Sequence, residues 1–116
     1  MSEKLGERIR RVRQERRLGL RETATKVGIS AAYLSRIETM DEKSPPAEKV
    51  LRALADLLCD DFDTLMQLAG RIPEDVEAVI KTDPDMPEFL RTVRSQNLTG
   101  AELMDLLKRT GNKSKR

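Results

Sequence analysis

The side chains able to do chemistry in this chain are almost all cationic or carboxylic: 22 Lys and Arg stand against 20 Asp and Glu, and there is no histidine. Imidazole acid–base catalysis and His-bearing zinc sites are therefore excluded. The one cysteine, Cys59, has no histidine to activate it as a nucleophile. It cannot close an internal disulfide, which fits a reducing cytoplasm. Lying at the end of an apolar stripe, it reads as a small core residue. No glycine-rich phosphate loop is present, so no enzyme, metal or cofactor is expected. What remains is anion binding by guanidinium and ammonium groups. Arg8, Arg10, Arg11, Arg16 and Arg17 crowd the first 20 residues. They could form a basic rim, but a solvated helix face is favoured for most of them.

Charge is also segregated along the chain. Residues 1–40 hold ten Lys/Arg against five Asp/Glu, residues 41–90 five against thirteen, and residues 91–116 seven against two. Blocks of this kind suggest that one face meets a polyanion while another faces solvent, although charge alone leaves nucleic acid and a merely solvated surface equally open. No apolar stretch approaches the roughly 20 residues that span a bilayer. Arginines interrupt the apolar residues of Met1–Leu20, so no signal peptide is read there. The expectation is a cytoplasmic protein with no membrane contact.

The elements that must position these groups are helical. Few aromatics and no hairpin signal argue against a sheet. Leu5, Ile9 and Val12 set a first helix over about Lys4–Arg16. Gly19, with Glu22 three residues on, opens a second over Leu20–Val27, and Gly28 ends it. Ser30 caps a third, which carries Tyr33, Leu34 and Ile37 inward and fades near Glu38–Met40. Pro45-Pro46 cannot lie inside a helix but can start one, so a fourth runs from about Pro46 to Cys59. Asp61–Asp63 caps a fifth, closed by Gly70.

Within residues 20–39, small and apolar residues fall on a restrictive pattern. Counting Leu20 as position 1, Ala24 is position 5, where two crossed helices touch and only a small side chain fits. Gly28 is position 9, where the turn requires positive φ. Val27, Ile29, Leu34 and Ile37 take positions 8, 10, 15 and 18 on the core face. Six constraints are met in 20 residues.

With this pattern the chain resembles the lambda-repressor-like, XRE-type (Cro/repressor-type) helix-turn-helix transcriptional regulators. The stretches "LGLRETATKVGISAAYLSRIE", "VLRALADLL" and "DFDTLMQLAG" carry the likeness, which covers residues 4–70. The resemblance implies an all-α, five-helix lambda-repressor-like DNA-binding domain over residues 1–70, with a short C-terminal helical extension over 71–116. Three positions depart from the pattern. Leu20 stands where many members have a phosphate-contacting Gln, Thr23 replaces a buried Leu or Ile, and Met40 replaces the Gly that ends the recognition helix. The first removes a contact, the second costs core stability, and the third leaves the helix exit open.

The resemblance also implies roles. The third helix would lie in the major groove of double-stranded DNA, with Ala31, Ala32, Ser35 and Arg36 outward and Tyr33 at the flank. Arg36 is the expected base-reading residue, because guanidinium can bond both O6 and N7 of guanine. The competing reading is an ion pair with a neighbour. Ala31 and Ala32 offer methyl groups. Phosphate contacts would come from Ser30, Tyr33, Arg21 and Lys43. Arg13 and Glu38 match a family ion pair joining the first and third helices.

Beyond Arg71, short helices are expected around Val76, Val79 and Ile80, over Met86–Arg94, and from Thr99 through Leu107, followed by a disordered basic tail from about residue 111. Phe89, Leu90, Val93, Leu103, Leu106 and Leu107 are too apolar to leave in water. Pairing with a second copy is the preferred cover, giving a homodimer on an inverted-repeat operator. The alternative is an antitoxin or adaptor whose C-terminal helices bind a partner protein.

Overall fold

A computed structural model describes residues 3–111, which form eight α-helices and no strand. They divide at Glu74/Asp75 into two compact units. Residues 112–116, most of the expected tail, lie outside the described residues.

The first unit holds α1 (Leu5–Glu15), α2 (Leu20–Val27), α3 (Ala31–Thr39), α4 (Glu48–Leu58) and α5 (Phe62–Leu68). Helix α1 packs on α3 and α4, α2 on α3 and α4, and α5 on α4. Ile9, Leu34, Leu51, Leu54, Leu58 and Leu65 lie fully buried where these helices meet. Each lies on the apolar stripe of its helix, which explains why the chain folds inward on this seam. Gly6 lets α1 approach α3 closely, since a Cβ there would strike the backbone carbonyls of Ile37 and Glu38.

Three local features differ from the sequence reading. Helix α4 starts at Glu48, because Ala47 stays extended (φ −67°, ψ 159°) as its N-cap while Pro46 is buried in the preceding loop. Cys59 is not core: it is the left-handed C-cap of α4 (φ 53°), which turns its side chain out to solvent. Met40 is itself left-handed (φ 64°) where a glycine was expected, and its Sδ accepts a hydrogen bond from Gly6 N at 3.2 Å. A contact to α1 thus accompanies a conformation that costs an L-residue energy.

The second unit contains α6 (Glu74–Thr82, whose first residue belongs to the first unit), α7 (Met86–Ser95) and α8 (Gly100–Thr110). Pro87 stands in the first turn of α7. Thr99 and Glu102 close a reciprocal cap on α8: Glu102 N donates to Thr99 Oγ1 at 3.1 Å, and Thr99 N to Glu102 Oε1 at 2.8 Å. No residue of α6, α7 or α8 is buried. No helix among the described residues is long and apolar enough to cross a membrane.

Candidate nucleic-acid interface

Helices α2 and α3 are joined by only three residues. Gly28, left-handed at φ 81°, ends α2 by donating to Thr25 O, and Ile29 N reaches Ala24 O at 3.0 Å. Ser30 then caps α3, its Oγ accepting from Tyr33 N at 3.0 Å. Ala24 is buried at the crossing of the two helices, and Leu34 and Ile37 anchor α3 from beneath. The cap holds α3 at its start and the buried residues hold it along its underside, which leaves its other face toward solvent.

A second tie comes from α1. Arg13 donates to both carboxylate oxygens of Glu38, Nε to Oε2 at 2.7 Å and Nη2 to Oε1 at 2.9 Å, and its Nη1 reaches Leu18 O. Both side chains are nearly inaccessible. The Glu38 hydrogen bonds push the Arg13 guanidinium pKa up against the opposing effect of burial. This pair makes α3 part of the core rather than an appendage to it.

A helix-turn-helix domain family matches residues 4–69. This chain belongs to that family.

Over 76 residues the helix-turn-helix chain is 40% identical to the HTH-type transcriptional repressor RghR of Bacillus subtilis (strain 168), a match covering 66% of this chain and 56% of that protein. The chain thus spans little more than half the length of that relative. Among solved structures, the SinR–SinI complex has a TM-score of 0.50 at 22% identity, covering 97% of this chain and 99% of the other, a likeness of fold. SinR, the master regulator for biofilm formation, crystallised with DNA, has a TM-score of 0.49 at 32% identity over 53% of this chain and 97% of the other.

The helix-turn-helix places the sequence-selected residues unevenly. Ala32 and Arg36 are exposed on α3, and Ser35 is partly exposed between them. Ala31 and Tyr33 are half-buried and pack against the core, so they offer less outward surface than the helical pattern suggests. Ser30 spends an oxygen lone pair on the cap but keeps its hydroxyl proton to donate. Arg21, at the start of α2, and Lys43, in the loop after α3, are exposed. Leu20 packs partly against the core and adds no polar group.

Arg36 does form an ion pair, as the competing reading of the sequence had it: its Nε donates to Glu42 Oε1 at 2.5 Å. The Tyr33 ring lies 5.8 Å from its guanidinium carbon. Glu42 went unnoticed in the sequence because only the turn after α3 brings it to the helix.

Of the five arginines expected to form a rim, Arg10, Arg11, Arg16 and Arg17 are exposed and Arg8 is half-buried, and Arg8, Arg11 and Arg16 have partners within the chain. Arg8 grips both oxygens of Asp60 at 2.9 and 2.7 Å, tying α1 to the α4–α5 junction. That hydrogen bonding holds the Asp60 carboxyl below its ordinary value despite partial burial. Arg11 pairs with Glu3 and Glu15, and Arg16 caps the Leu58 carbonyl. The charge count of the first 20 residues therefore overstates the cations free to meet an anion.

Proposed function

We propose that this chain is a sequence-specific, double-stranded-DNA-binding transcriptional regulator of the repressor kind, working in the cytoplasm. The observation that carries this reading is the outer face of α3, capped by Ser30 and anchored from beneath by Leu34 and Ile37. Ala32, Ser35 and Arg36 form a narrow face small enough to enter a major groove, and Arg21 at the start of α2 and Lys43 in the loop after α3 are exposed cations. The relatives named above are regulators rather than enzymes, and this chain is read as a binding protein in the same way.

In this reading Arg36 reads a guanine, while Arg21, Ser30, Tyr33 and Lys43 hold phosphates; Ala31 and Ala32 permit close approach. Arg13 and Glu38 act structurally. Selection from a random duplex pool with the purified protein tests it. Arg36→Ala should then weaken the selected site by about 1–3 kcal/mol and relax one base position. Lys43→Ala should weaken all sequences alike and lower the salt slope by about one. Selection that yields no motif, or a motif unchanged by Arg36→Ala, contradicts the assignment.

The second unit is read as the dimerisation element. Val76, Val79, Phe89, Leu90, Leu106 and Leu107 are exposed on its three helices, apolar side chains that a second copy could cover. Two copies joined there would present two α3 helices to half-sites about 34 Å apart. A chain ending at Glu74 keeps the Arg71 bond to Pro45 O and the Glu74 bond to Glu48. It should fold, sediment as a monomer and lose most specific affinity. A monomeric full-length protein would instead favour the second reading, an antitoxin or adaptor whose exposed stripe receives a partner protein.

A further inference from the structure

Helix α3 does not simply fade into the loop that follows it. Met40 takes the left-handed conformation, Asp41 N donates back to Arg36 O at 2.8 Å, and Thr39 Oγ1 donates to Asp41 Oδ2 at 3.0 Å. This tight turn returns Glu42 to the outer face of α3, where its carboxylate meets Arg36 at the inner nitrogen, Nε. The two terminal amino groups of Arg36 make no hydrogen bond among the described residues, and about half of the side chain is exposed (49%). Glu42 is more enclosed, at 28%. The contact therefore occupies the one guanidinium N–H that a fork built from the terminal amino groups does not need, and leaves that fork free.

We infer that Glu42 is a positioning residue for base reading by Arg36. The inference rests on the DNA-binding role proposed above and extends it to a residue outside α3. Two physical effects follow from the geometry. A long, freely rotating arginine loses side-chain entropy when it docks on a base edge, and a carboxylate that already holds Nε removes part of that loss before DNA arrives. The same carboxylate offsets the guanidinium charge. A phosphate is attracted by charge from many directions, whereas the O6/N7 edge of guanine requires a fork in a defined plane. Glu42 thus makes Arg36 a poorer partner for phosphate anywhere on the duplex and a better one for a single base edge. It raises discrimination while lowering indiscriminate affinity.

A carboxylate that merely sequestered Arg36 would act differently, since its removal would strengthen specific binding and discrimination together. Full-length protein and its Glu42→Ala, Glu42→Gln, Arg36→Ala and doubly substituted variants are titrated against three duplexes at several salt concentrations. These are the duplex selected by the unaltered protein, the same duplex with the Arg36-dependent base pair replaced, and a random duplex. Glu42→Ala should cut discrimination between the first two about two- to tenfold. It should also tighten binding to random duplex and steepen that salt slope by about one as Arg36 turns to a phosphate. Glu42→Gln, which still accepts from Nε, should keep discrimination nearer that of the unaltered protein. In the Arg36→Ala background, Glu42→Ala should leave discrimination unchanged. Undiminished discrimination in Glu42→Ala, or an equal loss without Arg36, overturns the role of Glu42 alone. Failure of the unaltered protein to select any duplex overturns the DNA-binding role and this inference with it.

Discussion

The five helices up to Leu68 and the three from Glu74 onward carry apolar residues at the same helical spacing, yet they differ in what becomes of those residues. In the first unit the stripes converge, and Ile9, Leu34, Leu51, Leu54, Leu58 and Leu65 lose essentially all contact with water. In the second, Phe89 remains 50% exposed and Leu107 61%. Local signals are not what separates them. The α8 cap, with both of its reciprocal hydrogen bonds, is as well formed as any in the first unit. A cap fixes where a helix starts, whereas burial needs a second surface of matching shape, and that depends on residues far away in the chain.

The sharpest way to break this comparison is to attack the ties that make the first unit self-sufficient. Glu38→Ala leaves the Arg13 guanidinium buried without its carboxylate. It should cost about 3–5 kcal/mol in urea unfolding, with loss of DNA binding as α3 loosens. A cost below about 1 kcal/mol would mean that the pair is an ornament on a core fixed by apolar packing.

Substitution in the second unit should do the opposite. On the dimerisation role proposed above, Phe89→Asp or Leu107→Asp should weaken self-association by about 2–3 kcal/mol for each side chain removed from the proposed interface. The unfolding midpoint of a chain ending at Glu74 sets the reference, and the substituted full-length protein should match it. If either change instead lowered that midpoint, the stripe would belong to the folding of the first unit.

A smaller effect probes the tie between α1 and the α4–α5 junction. Asp60 is held below its ordinary value of 3.8, first by its hydrogen bond to Arg8. A depressed carboxyl contributes stability that is present above the unfolded value and disappears as pH falls through the folded one. The unaltered protein should therefore lose this contribution below about pH 4. Asp60→Asn should cost about 1 kcal/mol at neutral pH, and the difference between the two proteins should shrink in acid. Parallel acid-denaturation curves would show that the Arg8–Asp60 pair carries no stability.

The smallest expected change has the opposite sign. Thr23 is fully buried, and its hydroxyl has no hydrogen-bond partner among the described residues. Thr23→Val keeps the shape and removes the stranded polar group, so it should stabilise the first unit by about 1 kcal/mol in thermal unfolding. Destabilisation would indicate that the hydroxyl is satisfied in solution.

Much of this architecture could be read from short-range spacing. Gly28, Ala24, Leu34 and Ile37 define the two crossed helices within 20 residues, and Ser30 marks where α3 begins. Thr23 was legible as a misfit, because a hydroxyl stands where the pattern calls for Leu or Ile. The α4 start was not legible. Two prolines allowed a helix from Pro46, and only the burial of Pro46 in the loop moved it to Glu48.

By itself, the sequence determined what depends on neighbours within a turn or two: the existence of the helices, the caps at Gly28, Ser30 and Thr99, the tight α2–α3 turn and the absence of histidine chemistry. Tertiary structure decided how the charges are spent. Arg8 and Asp60 are 52 residues apart, and Arg13 and Glu38 are 25 apart. Nothing in the spacing of arginines along α1 separates those that brace the fold from those left for an anion. Cys59 turned outward, and Glu42 came back to Arg36, because backbone turns at Cys59 and Met40 redirected them. Helical periodicity assigns a residue to a face, but an ion pair requires two side chains to meet at hydrogen-bond distance, and that meeting is settled only when the helices pack.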